Sequence, residues 1–208
     1  MTQSSAPIRT ETGNVSFAGD AGLIARIAER EESAFREVIE AHADRLHRIA
    51  YRMMGNRAGA TQDAEDLAQE ALLRLWDCAP RLSERAGLNG VKLGPWLKRV
   101  TVNLAIDRLR LAKRLSGEEP PEKADSTPLA DAKIEASEET AQARALIANL
   151  PERQRAAIVL TYYEELPNAD AAGLMDMNIK AFESLLHRAR GALRKSFEAH
   201  NKDNRGVV

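Results

Sequence analysis

The chain has 208 residues, 44% of them hydrophobic and 4% aromatic, and its 30 Lys and Arg against 31 Asp and Glu leave a net charge of −1. An apolar share of that size supports real cores and excludes a disordered protein, and the charge balance excludes a polycation that grips nucleic acid with its whole surface. The single cysteine, Cys78, excludes an intramolecular disulfide and any cysteine-based zinc cluster, which fits a reducing cytoplasm, and no apolar run approaches the ~18 residues of a membrane span.

Residues 1–19 are polar, rich in Ser and Thr, and lack the apolar core of a signal peptide, so they read as a flexible tail. Asp20 is placed to cap a short helix begun by Leu23, Ile24 and Ile27. A second helix follows, with Phe35, Val38, Ile39, His42, Leu46, Ile49, Ala50 and Met53 on one stripe, and Gly55-Asn56 closes it. Thr61 is the candidate cap of a third helix. There Ala64, Leu67, Ala68, Ala71, Leu72 and Leu75 recur at helical spacing, while Asp63, Glu65, Asp66, Gln69 and Glu70 crowd acid onto the other side. Like charges so close gain nothing for the helix itself, so this face suits a basic protein partner. Pro80 is expected to stop the helix, and Arg81 to Gly94, with three glycines, to form a loop.

Pro95 suits the first turn of a strongly basic helix running to Arg114. Arg99, Asn103, Asp107 and Arg110 share one side of it, and Leu97, Val100, Leu104 and Leu111 face a core. A mixture of Arg, Asn and Asp suits exposed base edges as well as phosphates, and Asn89 in the preceding loop is a candidate pocket wall for an extruded base. Asp107 and Arg110 could instead pair within the helix. Trp76 and Trp96 lie on apolar stripes, which favours core packing over base stacking.

Residues 116–133 change character: Pro120, Pro121 and Pro128 break helix, and acids outnumber Lys123 and Lys133. This reads as a flexible acidic linker, with the sharper alternative that its charge keeps it near basic surfaces. Helices resume over Ile134 to Ala148 and, opened by Pro151, over Glu152 to Glu164. Asn168 is placed to cap a short helix with Ala171, Ala172 and Leu174. After a turn at Met175-Asp176-Met177, Asn178 caps the last long helix, Ile179 to about Ala199. Ile179, Phe182, Leu186, Ala189 and Leu193 form its inward stripe. Lys180, Ser184 and Arg188 form a second face that would enter a major groove with its N-terminal end leading, while Arg190, Arg194 and Lys195 would hold phosphates. The expected fold is all-α: two helical domains over 20–115 and 134–200, joined by the linker and followed by a short tail at 201–208. No nucleophile elbow, phosphate loop, triad or zinc motif is present, so neither enzymatic activity nor a cofactor is expected. Magnesium held by Asp63, Glu65 and Asp66 would need a phosphate loop that is missing.

In two blocks the chain resembles the extracytoplasmic-function sigma factors of bacteria. Asp63-Ala-Glu-Asp-Leu-Ala-Gln-Glu-Ala-Leu-Leu-Arg-Leu-Trp76 is similar to the family's polymerase-binding helix, and Trp96 to Arg110 to its minus-ten promoter-reading helix. Leu150-Pro-Glu-Arg-Gln-Arg155 and Leu186-His-Arg-Ala-Arg190 resemble the start and end of its minus-thirty-five domain. The resemblance implies a dissociable promoter-specificity subunit that does no bond chemistry and acts in the cytoplasm. Its partners would be core RNA polymerase, promoter DNA and an anti-sigma factor. Asp63, Glu65, Asp66, Gln69 and Glu70 would meet the polymerase clamp, and Asn89, Arg99, Asn103, Asp107 and Arg110 the melted minus-ten strand. The duplex at minus thirty-five would be met by Asn178, Lys180, Ser184, Arg188 and Arg190. Glu183 and Leu185 stand where the family often has basic residues, and Leu185 falls outside the inward stripe. That suggests a protein contact, with an anti-sigma regulator as the candidate. An ordinary helix-turn-helix regulator would explain the last helix but leave the acidic and basic helices without a role.

Overall fold

The computed structural model describes residues 17–89, 91–115 and 138–205, and among these there is no strand. Helices α1 (Phe17–Ala28), α2 (Glu32–Met54), α3 (Ala60–Asn89) and α4 (Leu93–Leu115) form a first bundle, in which α3 packs on α1, α2 and α4, and α2 on α4. Its core is the predicted stripe of α2, with Val38, Leu46, Ile49, Ala50 and Met53 buried, set against Ala64, Leu67, Ala71 and Leu75 of α3 and Leu97, Val102 and Leu104 of α4. Gly55 closes α2 at φ 71°, a left-handed conformation that costs glycine nothing. Trp76 packs on Phe35 with ring centroids 5.0 Å apart, and Trp96 is half-buried against the same core.

Several expectations about element ends are overturned. Thr61 does not cap α3, which already begins at Ala60, and Asn168 is the first residue of its short helix and not its cap. Helix α1 begins at Phe17, so Asp20 lies inside its first turn, where its carboxylate accepts a hydrogen bond from the backbone N–H of Leu93 at 3.0 Å. Asp20 thus caps α4 across the bundle instead of its own helix, and α4 starts at Leu93, ahead of Pro95. Pro80 does not stop α3, which runs on to Asn89. A proline lacks the N–H that would reach the carbonyl four residues back. Here that carbonyl, Trp76 O, is met instead by Arg30 Nη1 at 2.8 Å.

The second group comprises α5 (Glu138–Ala148), α6 (Glu152–Ile158) with a π turn at Val159–Tyr163, α7 (Asn168–Leu174) and α8 (Ile179–Arg205). α8 packs on α6 and α7, with Phe182, Leu186 and Ala189 buried as predicted. Ile179, placed on the inward stripe by spacing, is 46% exposed, and Leu185 takes an inward place at 7%. Asn178 Oδ1 accepts from Ala181 N–H at 2.8 Å, the expected cap. α7 is preceded by Pro167 in the cap position, without a side-chain cap. α8 continues past Ala199 to Arg205. The linker expectation for 116–133 lies outside the described residues.

The two groups touch. α4 meets α6 and α7, and α2 meets α5, α6 and the π turn. Gly55 sits so close to α5 that a Cβ built on it would lie 2.6 Å from Ala148 Cβ.

Candidate functional site

The acidic face of α3 divides in the structure. Asp66 and Gln69 are exposed, Glu65 and Glu70 half-exposed. Asp66 accepts from Gln62 at 3.2 Å, and Glu70 from Arg74 at 2.8 Å one turn on. Such contacts along an exposed helix face are weak, so a stronger partner can displace them. Leu73, 58% exposed, continues this face one turn further and gives it an apolar element. The charge pattern had hidden that residue, because a leucine beside Leu72 and Leu75 reads as core. Asp63 is different. Its carboxylate is held by Arg57 and by Arg108 Nη1 at 2.7 Å, which ties the start of α3 to α4.

On α4, Arg99, Asn103 and Asp107 lie on one exposed face with Arg110 at its half-buried edge, as the spacing predicts. Asp107 and Arg110 do not pair with each other. Both arginines reach across to the second group instead. Arg99 Nη2 donates to both carboxylate oxygens of Asp176, and Arg110 Nε donates to Glu152 Oε1 at 3.0 Å. Burial raises the Glu152 carboxyl, but the hydrogen bond from Arg110, a hydrogen bond from its own backbone and the charges of Arg110 and Lys113 together hold the group below its ordinary range. Asp176 has φ 52°, in the left-handed region that aspartate tolerates better than most residues. Asn89 ends α3 instead of lying in a loop, and its side chain lies outside the described residues.

On α8, Lys180, Glu183, Ser184, His187 and Arg188 lie along one exposed face of the helix, and Asn178 is exposed at its start. Arg188 Nε donates to Ser184 O at 3.3 Å, along its own helix. Arg190 points elsewhere, donating to Tyr162 Oη at 2.6 Å with its guanidinium 5.5 Å from that ring. Leu185 belongs to the core. As a surface contact it is ruled out, and a substitution there would report on folding and not on a partner.

Two residues that sequence reasoning passed over hold the groups together. Glu164, with its side chain 3% exposed, faces Arg45 Nε at 2.7 Å, Lys98 Nζ at 3.0 Å and Arg52 Nη1 at 4.0 Å, all on the first bundle. Arg155 is buried, donates to the backbone carbonyls of Met53, Ala148 and Leu150, and is pushed down to about 10 by burial, with Arg57 adding to the effect. Neither gave a local signal, since a charged residue on a short amphipathic helix reads as solvated.

Comparison with known proteins gives consistent matches. Residues 38–115 match Sigma-70 region 2, and residues 140–193 match Sigma-70, region 4. The chain is 33% identical over 171 residues to the ECF RNA polymerase sigma factor SigE of Mycolicibacterium smegmatis, covering 80% of this chain and spanning 63% of that protein's length. It is 32% identical over 174 residues to ECF RNA polymerase sigma factor SigM of Mycobacterium tuberculosis, covering 84% of this chain and 82% of the relative. Among solved structures it is similar in fold to the sigma factor RpoE of Bartonella quintana, determined in complex with the anti-sigma factor NepR. The TM-score is 0.59 at 20% identity, over 79% of this chain and 96% of that one.

Proposed function

Because this chain belongs to the extracytoplasmic-function RNA polymerase sigma factors, we propose that it docks on core RNA polymerase through α3 and directs it to promoters through α4 and α8. The observation that carries the reading is the separation of surfaces. An exposed acidic face on α3, an Arg-Asn-Asp face on α4 and a capped helix with an exposed polar face on α8 occupy three different elements. Asp66, Gln69 and Glu70, with Glu65 at the edge, form the polymerase contact, and Leu73 adds apolar area to it. Asp63 positions that helix by anchoring it to α4. Arg99, Asn103, Asp107 and Arg110, together with Asn89, handle the opened minus-ten strand. Asn178, Lys180, Ser184 and Arg188 enter the minus-thirty-five duplex, and Arg190 holds a phosphate at its flank.

The domain limits we propose are 20–115 and 134–200, with Phe17 to Gly19 joined to the first because α1 begins there. The protein itself breaks and makes no bonds. It acts in the cytoplasm, in keeping with described helices of which none is long and apolar enough to cross a membrane. An anti-sigma protein is its regulator, a reading supported by the Bartonella quintana complex. A helix-turn-helix regulator acting alone accounts only for α8. The test is co-elution with purified core polymerase followed by transcription from a promoter-bearing template. Co-elution and a defined start site support the reading, and tight sequence-specific binding to duplex DNA with no polymerase association contradicts it.

A further inference from the structure

We infer that Glu183 on α8 reads a cytosine: its carboxylate accepts from the N4 amino group in the major groove and makes one position of the duplex site base-specific. The inference rests on the proposed role of α8 as the duplex-entering helix, and it assigns one residue of that helix to one base edge.

Lys180, Glu183, Ser184, His187 and Arg188 recur at i, i+3, i+4, i+7 and i+8, so they share a single stripe of α8, and all of them are exposed. Glu183 is the acid of that stripe, set among residues that can donate. Part of this donor capacity is spent along the helix itself, with Ser184 Oγ donating to Lys180 O at 2.9 Å and Arg188 Nε to Ser184 O at 3.3 Å. The Glu183 side chain has no hydrogen bond or ion pair among the described residues, although Lys180 stands one turn before it and His187 one turn after. Its acceptor oxygens are free to meet a ligand.

Helix stability does not account for the acid. Glu183 is the fifth residue of α8, beyond the first turn in which a carboxylate gains from the helix terminus, and the cap is already supplied by Asn178. Brought to a duplex, a carboxylate is repelled by the phosphates, so it weakens binding to every site that offers it no donor. The donors of the major groove are the amino groups of cytosine and adenine, while guanine and thymine present acceptors there. Adenine sets its N7 lone pair beside N6, and a carboxylate reaching N6 meets that lone pair. Cytosine has only a C–H beside N4. Glu183 therefore admits cytosine and excludes the other bases by leaving a charge unpaired, and the cations on either side of it supply the affinity.

The test uses holoenzyme, the full chain assembled on core RNA polymerase, transcribing a template pool whose upstream duplex is randomised and whose transcripts identify their own templates. Wild type is compared with Glu183→Ala, Glu183→Gln and a control at an exposed acid further along α8, Glu198→Gln. Thermal unfolding followed by circular dichroism compares their folds. We expect wild type and control to favour cytosine at one upstream position roughly tenfold over guanine and thymine. Glu183→Ala should flatten that position and no other. Glu183→Gln should move the preference to adenine on the same strand, because a glutamine amide can pair with N6 and N7 together. A base profile that neither Glu183 variant alters overturns the inference and leaves α8 as the duplex reader. A wild-type preference for another base at the position these variants change, or an equal loss of preference at every position, also overturns it. Glu183 variants that fail to fold assign the residue to stability, with the same consequence. No chain-dependent transcription, or transcription without any upstream base preference, refutes the duplex role of α8 itself and the inference with it.

Discussion

Arg30 Nη1 donates to the carbonyl oxygen of Trp76 at 2.8 Å, and its guanidinium lies 5.0 Å from the centroid of the same residue's ring. One side chain thereby supplies the hydrogen bond that Pro80 cannot and stacks on the helix it repairs. Arg30→Ala should destabilise the first bundle by about 1 kcal/mol, the net worth of one exposed hydrogen bond and an exposed cation–π contact. In a Pro80→Ala background, where the backbone again reaches Trp76 O, the same substitution should cost distinctly less. Chemical denaturation of the four chains closes the cycle, and strictly additive costs would refute the pairing.

Asp20 caps α4 from a distance. Asp20→Ala should cost about 1 kcal/mol and leave the Leu93 amide without its acceptor. Hydrogen exchange at Leu93 should speed up, while Asp20→Asn, which keeps an acceptor oxygen, should recover most of the protection. Unchanged exchange in the alanine variant would remove Asp20 from that role.

The contrast between these contacts and the helices themselves shows what the sequence carries. Apolar periodicity placed the α2 stripe from Val38 to Met53 and the α8 stripe from Phe182 to Ala189, because 3.6-residue spacing is a local property. The four-residue steps that gathered Arg99, Asn103 and Asp107 on one face are local too. Pro80 was misread because its rescue comes from Arg30, and Asp20 because its acceptor role serves Leu93. Partners that distant leave no periodic trace. Leu185 joins the core because α8 packs on both α6 and α7, a buried arc wider than its single stripe suggests, while Ile179, the first residue of α8, is left exposed. Glu164 and Arg155 were invisible for a related reason: only the meeting of the two helical groups buries them.

Gly55 marks a close approach of those groups. Gly55→Ala places a side chain on a residue at φ 71° and 2.6 Å from Ala148 Cβ, so both backbone strain and a clash follow. The strain alone should cost about 1–2 kcal/mol. Combining it with Ala148→Gly should return the clash portion and leave the strain. Equal stability of the single and double variants in thermal unfolding would show that the contact with α5 does not matter.

Arg188→Ala should weaken duplex binding and lower the slope of log K against log salt by about 0.9 if the guanidinium neutralises one phosphate. An unchanged slope accompanied by a loss confined to one DNA sequence would assign Arg188 to a base edge instead. Unchanged affinity for every sequence would take it out of the interface.

Asp66 is exposed, and its only hydrogen bond among the described residues is to Gln62, so its substitution should leave the fold intact. Asp66→Arg reverses charge in the centre of the acidic face and should reduce core-polymerase affinity at least tenfold, read by a fluorescence titration with labelled chain. Retained affinity would place the docking surface elsewhere.

The most direct measurement is run-off transcription with core polymerase on a pool of fragments from the source genome, with start sites mapped in the presence and absence of the chain. The account predicts discrete starts that depend on the chain, share a common upstream spacing, and vanish with Asp66→Arg. A start-site map unchanged by adding the protein, although it binds duplex DNA by itself, would contradict it.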